Sequence, residues 1–72
     1  MSTSADHWIE MQPFGTATVQ IELTRRGQLW HGQAARLASR NIERQVLANC
    51  VGADFEVVRH EVLKQAARSL KH

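Results

Sequence analysis

Strict alternation of apolar and polar side chains marks residues 16–24. Ala17, Val19, Ile21 and Leu23 fall on one side of an extended chain, and Thr18, Gln20, Glu22 and Thr24 on the other. Gly27 follows Arg25 and Arg26, and glycine tolerates the positive φ that tight hairpin turns demand. With Arg26 and Gly27 at the centre of a two-residue turn, a second strand over about 28–35 runs back along the first. Leu23 then opposes Trp30, Ile21 opposes Gly32 and Val19 opposes Ala34, all apolar or small. The other face pairs Glu22 with His31 and Gln20 with Gln33. A one-residue slip would mix the two faces.

Two helices are expected after the hairpin. Ile42, Val46, Leu47, Cys50 and Val51 have the 3–4 spacing of a buried stripe, which predicts a helix over about 40–51 closed by Gly52 as a left-handed cap. Asp54 is a suitable N-cap for a second helix over about 54–70, with Glu56 in its first turn. Phe55, Val58, Val62, Ala66 and Leu70 line one side of it, and Lys64, Arg68, Lys71 and His72 gather towards its end. Residues 1–15, interrupted by Pro13 and Gly15, read as an irregular lead. The expected architecture is one small α+β domain over 16–72, with the hairpin packed under two helices in β-β-α-α order.

A chain of 72 residues buries only about 60% of its unfolded surface, so a partner, a metal or a disulfide would help to hold it. Cys50 is the single cysteine, which excludes an internal disulfide and fits a reducing compartment. No apolar run approaches the roughly 20 residues of a membrane span. The start, Met1 to Asp6, lacks the basic and greasy segments of a secretory signal. A soluble, cytoplasmic protein is expected.

Charge is uneven. Residues 1–24 carry Asp6, Glu10 and Glu22 and no Lys or Arg, whereas residues 25–72 hold all nine basic residues against four acidic ones. A basic half permits an anionic partner without demanding one. Within it, Ala48 and Gly52 have the separation, and Leu47, Val51 and Val58 the apolar placement, of a helix-turn-helix. Residues 44–64 therefore resemble that DNA-binding motif, departing from it at Ala53 and Glu61. The resemblance implies a transcriptional regulator with Arg59, His60 and Lys64 facing the groove. Separately, Arg36, Arg40 and Arg44 are spaced by four and would form a phosphate-contacting stripe on a continuous helix.

His7, His31, His60, His72 and Cys50 show no CxxC, HxxxH or other metal-ligand spacing, so no metal or cofactor is expected. No phosphate-binding glycine loop or nucleophile–base pair stands out, and an enzyme is not expected. The leading expectation is a non-enzymatic accessory or regulatory protein that binds an unidentified protein partner, working as a homodimer. A two-stranded sheet is marginal alone and its edges invite another chain. The polar hairpin face of Gln20, Glu22, His31 and Gln33 is the expected partner-facing surface.

Overall fold

The computed structural model describes residues 2–4, 6–40 and 42–70. Its chain runs as a meander: β1 (Ser2–Ser4), β2 (His7–Phe14), β3 (Ala17–Arg26), β4 (Leu29–Arg36) and β5 (Gln45–Gly52), followed by helix α1 (Phe55–Leu70). The strands form one antiparallel sheet in sequence order, four long strands with the three-residue β1 added at one edge. The hairpin under two helices, in β-β-α-α order, is not what forms. The irregular lead expected at 1–15 contains β1 and β2, and the helix expected over 40–51 is replaced by β5. Position 41 and the helix-end residues Lys71 and His72 lie outside the described residues.

The alternation read at Val19, Ile21 and Leu23 is present in β3, where all three are fully buried. The pairing of β3 with β4 differs from the expected register by two residues. Gly27, at φ 65°, takes the first central position of the turn with Gln28 behind it, so Arg26 faces Leu29 and Leu23 faces Gly32. Because the side-chain period is two, this shift leaves every residue on its expected face. Gly15, also at φ 65°, does the same between β2 and β3. A glycine in the first central place is the signature of a type II′ hairpin. Pro13 sits in β2 beyond the reach of β1, on the outer edge, where a strand tolerates a residue without an N–H.

One face of the sheet carries α1, which lies over β5 and β4 and reaches β3. Asp54 caps it as expected: its Oδ1 accepts from the Val57 N–H at 3.1 Å. Val58, Val62 and Ala66 project down onto Val19, Ile21, Leu23, Ala34 and Ala48 to make the core. Burying each valine contributes about 1.5–3 kcal/mol. At the start of the helix Phe55 stands between Trp8 and Trp30, edge-on to both, with centroids 5.8 and 4.9 Å away.

The helix can come this close because the sheet beneath it lacks side chains at two places. A Cβ added at Gly32 would lie 2.8 Å from both Val58 Cγ1 and Val62 Cγ2, and one at Gly52 would lie 2.9 Å from Val58 Cγ2. Gly52 is therefore not the helix cap that the sequence suggests. It is the end of a strand, small because Val58 rests on it.

Glu10 of β2 points into the same face and is 7% exposed. Arg59 grips it with two bonds, Nε to Oε1 at 2.5 Å and Nη2 to Oε2 at 2.9 Å. Trp8 Nε1 and Gln12 Nε2 donate to the same carboxylate at 2.8 and 2.6 Å. The Arg59 hydrogen bonds, against the opposing effect of burial, pull the Glu10 pKa from its ordinary 4.5 down to about 2. The same pairing pushes the Arg59 pKa up.

Two outcomes follow for stability. Gly32→Ala should destabilise the protein by about 1–3 kcal/mol, since the new methyl meets two buried, stiff valines. Adding Val62→Ala should then cost less than Val62→Ala costs alone; urea unfolding followed by tryptophan fluorescence measures both. Glu10 is depressed in the folded state, so its contribution is complete above pH 4.5 and is lost as the pH falls towards 2. Wild-type protein should lose roughly 3 kcal/mol across that window. Glu10→Gln should start lower at pH 7 and lose clearly less on acidification, whereas equal slopes would refute the assignment.

Candidate functional site

The face of the sheet away from α1 bears no element among the described residues. Antiparallel pairing sorts its side chains into rows. Ile9, Glu22, Gln33 and Asn49 form one, and Met11, Gln20, Ala35 and Val46 the next. His7, Thr24, His31 and Val51 form a third. The four residues expected to face a partner, Gln20, Glu22, His31 and Gln33, are all here. Their detailed pairing differs, because Glu22 stands opposite Gln33 and His31 opposite Thr24.

Glu22 takes its imidazole partner from β2 instead of β4. His7 Nε2 lies 2.7 Å from Glu22 Oε2, with both side chains a little over one-third exposed. Beside them Glu22, Thr24, Arg26, His31, Gln33 and Asn49 line a shallow depression of about 150 Å³. Apolar side chains flank this polar centre: Met11 on the β2 side, and Val46 and Val51 on the β5 side, are 53%, 45% and 54% exposed. His7 and Asn49 do not stand out in the sequence, because the patterns of β2 and β5 conceal the strands that carry them. For His7 the available signal is Gly15, which ends β2 as Gly27 ends β3.

The residues assigned to a nucleic-acid groove do not converge. Residues 45–52 are strand, so the helix-turn-helix expected at 44–64 is absent and only its second helix exists. Arg59, the leading contact of that reading, reaches across the helix-bearing face to β2 and is held by Glu10. His60 and Lys64 are exposed on α1, while Arg40 and Arg44 are exposed on the β4–β5 connection. That connection opens into β5 at the end where Ser69 Oγ donates to Leu47 O at 3.2 Å. Ser69 lies ten residues, about 15 Å, along the helix from Arg59.

A larger depression of about 500 Å³ lies at this same end, between Arg36, Gln45, Val46, Leu47, Ser69 and Leu70. Arg36 is its one ionisable side chain among the described residues. No three His, Cys, Asp or Glu side chains converge as a metal site among the described residues. Cys50 is a half-buried free thiol packed against the core. A scan against protein-family models finds no match, and comparison with curated proteins and with solved structures finds no significant match either.

Proposed function

We propose that the protein is a non-enzymatic accessory or regulatory factor that works as a homodimer and binds a protein partner through the open face of its sheet. The uncovered surface across β2 to β5 carries this reading. Three inter-strand steps make it about 15 Å wide. At its centre are Gln20, Glu22, His31, Gln33 and Asn49, which offer both donors and acceptors. At its flanks are the exposed Met11, Val46 and Val51. A polar field mixed with apolar contacts is the composition of a protein interface. The depression on this face, about 150 Å³, is well below the roughly 300–1,000 Å³ of a ligand pocket, so this face suits a broad contact better than an enclosed small molecule.

A second reading, binding to a nucleic-acid backbone, has its own support. Arg36, Arg40 and Arg44 lie within or beside the β4–β5 connection, and Arg40 and Arg44 are exposed. Such contacts would be independent of base sequence and steeply salt-dependent.

The first reading predicts a dimer by sedimentation equilibrium at micromolar concentration. It also predicts that Gln20→Lys combined with Gln33→Lys abolishes capture of whatever protein the wild type retains from host extract, with the circular dichroism unchanged. Equal capture by both forms would refute a role for the face. The second reading predicts duplex retardation at low salt that Arg40→Ala with Arg44→Ala weakens; no retardation at about 50 mM salt rejects it.

A further inference from the structure

The sheet has one long edge that is not defended. β5 pairs with β4 on one side, and among the described residues nothing pairs with it on the other. Its eight residues, Gln45–Gly52, include no charged side chain and no proline. Proteins ordinarily blunt such an edge with lysine, proline or a short strand, as the opposite edge does with the three-residue β1. One guard is present, a bulge: the pairing with β4 slips between Ala34 and Ala35, leaving Leu47 unpaired. Regular ladder geometry is thereby concentrated in Ala48–Gly52.

Helix α1 shows what would meet this edge. Val58 lies over Gly52, and Ser69 bonds to Leu47. The helix therefore runs antiparallel along β5, with eleven helical steps spanning five strand steps. Both amount to about 16 Å. The midpoint of the helix over Asn49 falls between Lys64 and Gln65. Glu61 and Arg68 are equidistant from that midpoint in sequence, on the flank of α1 away from Arg59, which reaches back to β2. Gln65, on the same flank, donates to Glu61 at 3.4 Å.

We propose that a second copy of this chain pairs with β5, strand against strand and antiparallel, about a two-fold axis through Asn49. The inference rests on the homodimer reading and names its surface. Asn49 then opposes the partner's Asn49, and Ala48 opposes the partner's Cys50. The two helices lie antiparallel across the axis. Because α1 sits over β4 and β5, with strands about 4.8 Å apart, the helix axes come about 10 Å apart, within packing distance. Glu61 faces the partner's Arg68, and symmetry repeats the pair: a residue pairing i with j also pairs j with i. Charge complementarity on the flank and lack of defence on the edge point to the same occupant. The open faces of the two copies join into one surface of twice the width.

The test uses the full chain. In a Cys50→Ala background, Asn49→Cys should form a disulfide-linked dimer under mild oxidation. Thr18→Cys, exposed on the open face away from the axis, should remain monomeric on a non-reducing gel. Glu61→Arg and Arg68→Glu should each raise the dimer dissociation constant by roughly tenfold, and the double swap should restore it. If the protein is dimeric but Asn49→Cys links no faster than Thr18→Cys and the double swap shows no rescue, this interface is wrong while the dimer stands. A monomer from micromolar to millimolar concentration overturns the interface and the dimer together.

Discussion

The close seat of α1 on Gly32 and Gly52 is the constraint on which the rest of the structure depends. Each position leaves less than 3 Å between a would-be Cβ and the Val58 or Val62 methyls. The helix thus touches backbone, where an ordinary layer packing would touch side chains. That proximity lets three small downward residues, Val58, Val62 and Ala66, cover Val19, Ile21, Leu23, Ala34 and Ala48, with larger side chains such as Phe55, Leu63 and Leu70 packed around them. It also fixes the lateral position of the helix, over β4 and β5 and away from the middle of the sheet. Everything beyond its shadow must be held in another way.

A helix about 10 Å across shadows about two strands spaced 4.8 Å apart, and this sheet has four long ones. The outlying strand β2 is tied in by reach. Arg59 extends to Glu10, and Phe55 extends to Trp8. The carboxylate accepts four hydrogen bonds, from Trp8, Gln12 and twice from Arg59, which satisfies a buried charge. Burial alone would raise the Glu10 pKa; the opposite shift shows that the bonds outweigh desolvation. Arg59 is thus a structural tie, and a reading of α1 as a recognition helix gave it the wrong partner.

The same features explain what the sequence did and did not disclose. β3 was legible because its buried face is continuous and its exposed face is polar. The helix was legible because Asp54 caps a clean stripe. β2 was hidden by Glu10 and Gln12, which put polar residues on the inward parity while Ile9 and Met11 put apolar ones outward. That inversion makes sense only once Arg59, 49 residues away, is in place. β5 was hidden by its bulge. Leu47 and Ala48 both serve the core, so the period of two is broken and the spacing of Val46, Leu47, Cys50 and Val51 imitates a helix. Gly52 reinforced the imitation, since a helix cap and a landing place for Val58 both call for glycine. The open-face residues Gln20, Glu22, His31 and Gln33 are legible in the sequence even though the register differs, because a shift of two preserves parity. His7, the actual partner of Glu22, came from the strand that was hidden.

The bulge that disguises β5 also bears on how the proposed dimer would use the edge. A flat, uncharged eight-residue edge would accept any extended chain and lead to open-ended aggregation. Interrupting it at Leu47 leaves a regular segment of only five residues, Ala48–Gly52, too short to bind much by backbone pairing alone. In the proposed dimer, specificity would come from the helix flank, where Glu61 and Arg68 suit an antiparallel copy of themselves and suit a parallel copy poorly. A closed two-fold dimer also consumes the edge that creates the hazard, leaving the three-residue β1 and the proline-bearing end of β2 at the outside. In such an assembly the two helices shadow the four central strands, and the Glu10–Arg59 tie becomes the element that keeps each outer strand, with its part of the open face, in register.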